Sequence, residues 1–270
     1  MKKQRAIPEP FETFTQKTEF ILDQISDIDT DGYAEREDKK AAGFDSIKRL
    51  IKAYDPMIRE SDLAHSRMQT LAAKSRRLYS HYYSTIEVAS SLEAIKAGKY
   101  WQRPTFVSHN DTLGEQEIEI MDISENSTIA FIGGGPFPWS IIKYLDRIGS
   151  NPKVTSIDVL PEAIKLSHGL LKSQGFADKI SLLPADARDV DYGNFSHIIL
   201  SAMAVPKKEI IERIIDTAQP NAMLVSRSSE GLNCFFYETF IPQSTKLKPV
   251  TTLPGCDDGE LISHVNLINA

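Results

Sequence analysis

TIAFIGGGPFP, residues Thr128 to Pro138, decides the fold of this chain, because an apolar run there meets three glycines and two prolines. Ile129, Phe131 and Ile132 have the bulky, β-branched character of a buried strand. Gly133, Gly134 and Gly135 accept positive φ and leave no Cβ between backbone and ligand. Pro136 suits the first turn of a helix, where its missing N–H costs nothing. That helix would carry Trp139, Ile141, Ile142, Tyr144, Leu145 and Ile148 and aim free backbone donors over the glycines. Strand, glycine turn and helix form the opening of a nucleotide-binding βαβ unit. A glycine triplet can also simply reverse the chain, so its neighbours decide.

Downstream of residue 127 the neighbours alternate between strand and helix, which predicts a parallel sheet. Strands are expected at 128–133, 153–158, 179–183, 197–201, 221–226, 246–252 and 261–268, with helices at 136–149, 161–175 and 206–218. The second strand, KVTSID, ends at Asp158, about two dozen residues beyond the glycines, where nucleotide folds place an acid for the ribose hydroxyls. An Asp ahead of a Pro-started helix can equally be a cap. The third strand runs into PADARDV, where Asp186, followed by Ala187, is placed for an adenine contact or lies on a surface loop. The fourth, HIILSAMAV, brings small residues to the mouth of the site.

Upstream, apolar positions recur at helical spacing. One helix is expected from Phe11 to Ile28 and another over FDSIKRLIKAY, residues 44–54, with a break at Asp55-Pro56. Met57 to Leu78 reads as one long helix or two. The stretch 29–43 reads as a loop or a short helix, and 99–113 as an irregular connection before a short acidic helix at 113–123. Residues 1–10 look like a polar arm. LYSHYYSTIEVASSLEAIKA, residues 78–97, is helical and rich in hydroxyls, and places Tyr83, Glu87 and Ser91 on one face with Tyr82, Ile86 and Ser90 beside them. Half-buried packing is the plainer role for these tyrosines. Residues 1–125 thus read as a helical domain and 126–270 as an α/β domain.

The chain has 270 residues, 41% of them hydrophobic and 25% charged, an ordinary globular composition. A formal net charge of -6 argues against nucleic acid as partner. No apolar run is long enough to span a bilayer, and MKKQRAIPEPFETF has no export-signal core. Cys234 and Cys256 lack metal-ligand spacing, and their scarcity fits a reduced cytoplasmic setting better than a disulfide framework. His65, His81, His109, His168, His197 and His264 are scattered without ligand spacing, so no protein-bound metal is expected.

Taken in order, these segments resemble the nicotianamine synthases, and more closely their short bacterial relatives that make opine-type metallophores such as staphylopine and pseudopaline. FIGGGPFP at 131–138 resembles the family's F-V-G-S-G-P-L-P, SID at 156–158 its second acidic strand, and FSHIILSAMAV at 195–205 its Y-D-V-V-F-L-A-A-L-V. MLVSRSSEGLNCFFY at 223–237 is similar to L-M-L-R-S-A-H-G with trailing aromatics, and ELISHVNLI at 260–268 to E-V-I-N-S-V-V-I. YYSTIEVASSLE at 82–93 resembles Y-Y-x-N-Y-x-x-L-x-x-L-E, and RESDLAH at 59–65 resembles A-E-x-x-L-E faintly.

The resemblance implies a class I S-adenosylmethionine-dependent methyltransferase-like Rossmann fold under an N-terminal helical domain. It also implies transfer of an aminocarboxypropyl group rather than a methyl group, with S-adenosylmethionine as co-substrate. Ordinary methyltransferases of this fold carry an acid just before the first glycine, where this chain has Ala130, Phe131 and Ile132. By the family's pattern Glu60 and Tyr82, with Tyr83 beside them, are the candidates to take a proton from the attacking amine. Gly133, Gly134, Gly135, Pro136, Asp158, Asp186 and Ala187 would hold the co-substrate. Glu87, Arg227 and Ser228 would meet the amino-acid acceptor, Arg227 being as readily read as a structural ion pair. Thr85-Ile86 in place of the family's N-Y and Ala64 in place of a second acid depart from the plant-type reaction that joins three aminocarboxypropyl units; the short chain fits a single transfer onto histidine, which is what resemblance to the bacterial enzymes implies. A homodimer is left open.

Overall fold

The computed structural model describes residues 9–28, 33–98, 109–148, 153–255 and 261–269. The expected polar arm up to residue 8, most of the 99–113 connection and Cys256 lie outside them. The chain divides into two compact units, Met1–Tyr83 with Glu230–Tyr237, and Ser84–Ser229 with Glu238–Ala270.

The first unit is helical: α1 (Glu9–Ser26), α2 (Tyr33–Tyr54), a 3-10 turn at Asp55–Met57, α3 (Glu60–Leu63) and the start of α4 (Ser66–Ala97). The break at Asp55-Pro56 falls where the proline demands it. The helix expected from residue 44 begins at Tyr33 instead. Phe11, Phe14, Leu22 and Ile25 of α1, Phe44, Ile47 and Ile51 of α2, and Met68 and Leu71 of α4 are buried. A Cβ at Gly43 would come within 2.6 Å of Ile25, so α1 and α2 approach most closely there. Segment 230–237 completes this core: Phe235 meets Phe14 edge-on at 5.4 Å and Phe236 meets Tyr79 at 4.8 Å. Two polar ties hold it. Asp55 accepts the Leu232 N–H at 2.8 Å, and Arg76 donates to the Cys234 carbonyl at 2.6 Å. The Cys234 thiol is buried and free, and burial pushes its pKa up to about 11.

The second unit holds the sheet: β1 (Thr128–Ile132), β2 (Lys153–Asp158), β3 (Ile180–Pro184), β4 (His197–Leu200), β5 (Met223–Ser228), β6 (Leu247–Pro254) and β7 (Ile262–Ile268). Among the described residues its order is β3-β2-β1-β4-β5-β7-β6. β1 to β5 pair in parallel, while β7 runs antiparallel to both β5 and β6. Helices α5 (His109–Ile120), α6 (Trp139–Ile148), α7 (Pro161–Ser173) and α8 (Lys207–Thr217) accompany it. This is the expected Rossmann-like sheet; burial on both faces explains the apolar runs of the inner strands β1, β4 and β5, while the edge strands β3 and β6 are largely exposed. On one face Ile129, Phe131 and Ile199 pack with Ile118, Met121, Ile141 and Tyr144; on the other Ala130, Ile132 and Ile198 pack with Ile210, Ile211 and Ile214.

The division differs from one at residue 125. The cause is packing: Ala94 of α4 is buried with Phe137, Ile142, Leu170 and Leu171, and Ile118 of α5 belongs to the sheet's own core. Both segments read as helix from sequence, but periodicity does not say which core a helix serves. Residues 230–237 carry the reverse lesson, leaving the sheet unit to finish the helical one.

Candidate functional site

The parallel strands change winding direction between β1 and β4, and ligands of such sheets bind beyond the strand ends at that switch point. The glycine turn lies there. Gly133 and Gly135 have φ of 75° and 65°, a conformation costly for any residue with a Cβ. The Gly133 N–H donates to the Ile157 carbonyl at 2.8 Å, tying the turn to β2. A Cβ at Gly133 would strike Ser201 Oγ and come within 3.0 Å of Ala204, and one at Gly134 would strike Ser156 Oγ. The turn is therefore walled closely by the ends of β2 and β4. Helix α6 starts only at Trp139, so Pro136 precedes it rather than forming its first turn; the Pro136 carbonyl accepts instead from Ser91 Oγ at 2.7 Å.

Asp158, at the end of β2, accepts the Gly135 N–H on Oδ2 at 2.9 Å and the Leu160 N–H on Oδ1 at 3.0 Å. It clips the glycine turn to the approach of α7, work that sequence alone could not separate from ribose binding. Glu87, reaching the same turn from α4, places Oε2 3.1 Å from the Cβ position of Gly135. Part of Glu87 stays open to solvent, yet burial of its carboxyl, and then the charge of Asp158, push its pKa up to about 8. Among the described residues no Lys, Arg or His pairs with either acid. Ser156 and Ser201 are buried at the turn with hydroxyls that have no partner.

Asp186 forms a bidentate pair with Arg188, at 3.0 Å to Nε and 2.6 Å to an Nη, and the hydrogen bonds from Arg188 hold its pKa down at about 2. The buried Ala187 offers its carbonyl to Tyr192 Oη at 2.8 Å. Together they brace the loop after β3.

Arg227 and Ser228 are placed differently from the sequence reading. Arg227 is buried, its guanidinium gripping Glu117 through Nε at 3.0 Å and Nη2 at 2.7 Å, with Nη1 on Ser140 Oγ at 3.1 Å. Tyr144 and Ser263 donate to the same carboxylate. Burial by itself would lower the Arg227 pKa, but Glu117 and Tyr144 outweigh it and hold it above its ordinary value. With its donors engaged on Glu117 and Ser140, Arg227 takes the structural ion-pair role that the sequence left open beside an acceptor contact. Ser228 Oγ is likewise committed, donating to the Glu238 carbonyl at 3.1 Å and accepting the Phe240 N–H at 2.8 Å.

In the helical unit, Glu60 stands exposed at the start of α3, with no hydrogen-bond partner among the described residues. Tyr82 lies 5.2 Å from Phe44 and Tyr83 5.8 Å from Tyr79, both half-buried in an aromatic cluster.

Sequence reading missed Ser156, Ser201 and Lys207. Lys207 is fully buried at the start of α8, and its Nζ donates to the carbonyls of Ser201 at 2.8 Å and Ala204 at 3.2 Å. Desolvation pushes its pKa down to about 7 against the opposing pull of Glu238. It fixes the loop that walls Gly133. The buried strand before it, HIIL, and the AMAV segment were the available signals that the polar groups there are enclosed.

Comparison with known proteins bears on what this turn holds. A family model described as nicotianamine synthase protein matches residues 44–255. Among solved structures, a Glu→Gln variant of MtNAS in complex with S-adenosylmethionine superposes with a TM-score of 0.80 at 17% identity, over 95% of this chain and 98% of that one. MtNAS in complex with MTA and tNA gives 0.80 at 17% identity, over 98% and 100%. At these identities the likeness is one of fold, helical unit included. No curated protein sequence matches the chain.

Proposed function

The chain belongs to the nicotianamine synthase family, and from that premise we propose that it moves the 3-amino-3-carboxypropyl group of S-adenosylmethionine onto the amine of histidine. Methylthioadenosine leaves, and the product feeds an opine-type metallophore in the cytoplasm. The observation that best supports this reading is the glycine turn itself: at the switch point, closely walled, and flanked by unpartnered hydroxyls and two acids without a cation. The MtNAS complexes with S-adenosylmethionine and with MTA agree with it. Histidine as acceptor rests on the resemblance to the bacterial opine-metallophore enzymes, and Thr85-Ile86 and Ala64, standing where the family has N-Y and an acid, weigh against joining three aminocarboxypropyl units.

The reaction is an in-line displacement at the methylene beside the sulfonium, governed by holding the amine in line with the leaving sulfur. The amine's nitrogen forms the new C–N bond, the C–S bond breaks with its electron pair on sulfur, and the amine's proton passes to a base. Glu60 or Tyr82, with Tyr83 beside it, is assigned that proton, an effect worth roughly 10²–10⁴ in rate for a well-placed group. The Gly133–Gly135 backbone, Pro136 and Asp158 would hold the co-substrate, with Asp186 and Ala187 shaping the loop beyond β3.

Mass spectrometry after incubation with S-adenosylmethionine and each histidine enantiomer tests this. Expected are methylthioadenosine and a histidine adduct carrying one aminocarboxypropyl unit. Product from S-adenosylmethionine alone would mean a nicotianamine synthase in the strict sense, and S-adenosylhomocysteine would mean a methyltransferase; either overturns the proposal.

A further inference from the structure

Two carboxylates close on Gly135. Asp158 holds its N–H, and Glu87 lies against its Cα, where the positive φ turns an unsubstituted face toward the acid. Like charges at one turn, with no cation beside them among the described residues, cannot both ionise cheaply. Burial of Glu87, with Asp158 as the titratable group facing it from β2, puts its pKa at about 8; on its own helix Tyr83 stands one turn earlier. A second observation points to a ligand here. Ser156, 1% exposed, directs a partnerless hydroxyl at Gly134, and Ser201 does the same at Gly133. The turn thus gathers two carboxyls and two unpartnered hydroxyls, and no cation among the described residues.

We propose that Glu87 and Asp158 form the seat of an alkylammonium group, and that Glu87 releases its proton to solvent when that cation binds. The exchange balances: a carboxylic acid plus an ammonium become an ion pair plus one free proton. This rests on the reading that S-adenosylmethionine occupies the turn. The ammonium chemistry has two sources there, the aminocarboxypropyl arm of S-adenosylmethionine and the amino-acid acceptor. Glu87 falls at an unspecified position of the family's tyrosine motif, so it would be this chain's own device.

The linkage has a definite sign. A neutral Glu87 must ionise to hold the cation, so binding tightens as pH rises toward 8 and levels off above it. Below pH 8 the slope approaches tenfold in affinity per pH unit for a single coupled proton.

Calorimetric titration in buffers of different ionisation enthalpy counts the protons released at pH 7. S-adenosylmethionine should release most of one proton from the wild-type protein and none from Glu87→Gln, whereas methylthioadenosine, which has no ammonium, should release none from either. Release with histidine instead of S-adenosylmethionine would assign the seat to the acceptor. Release that persists in Glu87→Gln, or that methylthioadenosine reproduces, overturns the inference. Should that variant fail to fold, infrared spectra of the ligand-free wild-type protein with isotope-labelled glutamate must show one carboxylic acid titrating near pH 8; its absence also overturns it. Failures stay separable. Glu87-dependent release with S-adenosylhomocysteine as product overturns only the transfer reaction; methylthioadenosine formation without such release overturns only the seat; and no binding of either ligand overturns both.

Discussion

Two acidic sites in the sheet unit, Glu117 under β5 and β7 and Glu87 at the glycine turn, show opposite solutions to the same cost. Both carboxyls sit where water cannot solvate them well. Glu117 is saturated by Arg227, Tyr144 and Ser263. Among the described residues the charged group facing Glu87 is another acid, and burial followed by that charge raises its pKa to about 8. A buried charge is tolerable when its partners are built in, and such a site is complete. One whose partner is missing escapes the cost by keeping its proton, and on the proposal above gives it up when the ammonium arrives.

The contrast can be broken most forcefully at the saturated site. Arg227→Met should cost about 3–5 kcal/mol, since it strands Glu117 in the core. Replacing both members, Arg227→Met with Glu117→Leu, should recover much of the loss. Denaturant titration checks this, and equal losses in single and double variants would mean the pair is no unit.

The unsaturated site should answer to pH. Because the folded pKa of Glu87 is raised from 4.5 to about 8, the native state holds a proton that the unfolded chain has lost. Its contribution is intact below pH 4.5 and declines as pH rises to about 8. Glu87→Gln removes that decline, so wild type should lose on the order of 1–4 kcal/mol relative to the variant between pH 4.5 and pH 8. Melting temperatures across that range measure it; parallel curves would show that Glu87 is solvated after all.

The smallest effect belongs to a third acid. Asp186 is partly exposed and paired with the exposed Arg188. Asp186→Asn should change stability by less than about 1 kcal/mol, as surface pairs do. A change in S-adenosylmethionine affinity much larger than the change in stability would mark it as a contact rather than a brace.

The turn was legible because glycine, proline and β-branched residues constrain the backbone locally. Asp158 was legible for the same reason, as a fixed step beyond the glycines. Glu87 was visible only as a residue on the tyrosine face of a helix, and nothing in its neighbours along the chain raises its pKa. Arg227 invited the wrong partner: a cation at a strand end looks available until Glu117, 110 positions earlier, is found against it. Ser156 and Ser201 were silent, since a serine's lack of a partner is a property of its surroundings.

What the sequence determined by itself is therefore the local chemistry: the alternation of strand and helix after residue 127, the glycine turn, the helical character of the chain before it, and through ordered motifs the nicotianamine synthase family. What only the tertiary structure decided is allegiance. It assigned the end of α4 and all of α5 to the sheet, residues 230–237 to the helical core, Arg227 to Glu117, and Glu87 to the face of Gly135. Backbone preferences act over a few residues and are written in the chain where they operate. Burial and charge pairing join residues far apart in sequence, and come into being only when packing removes the water between them.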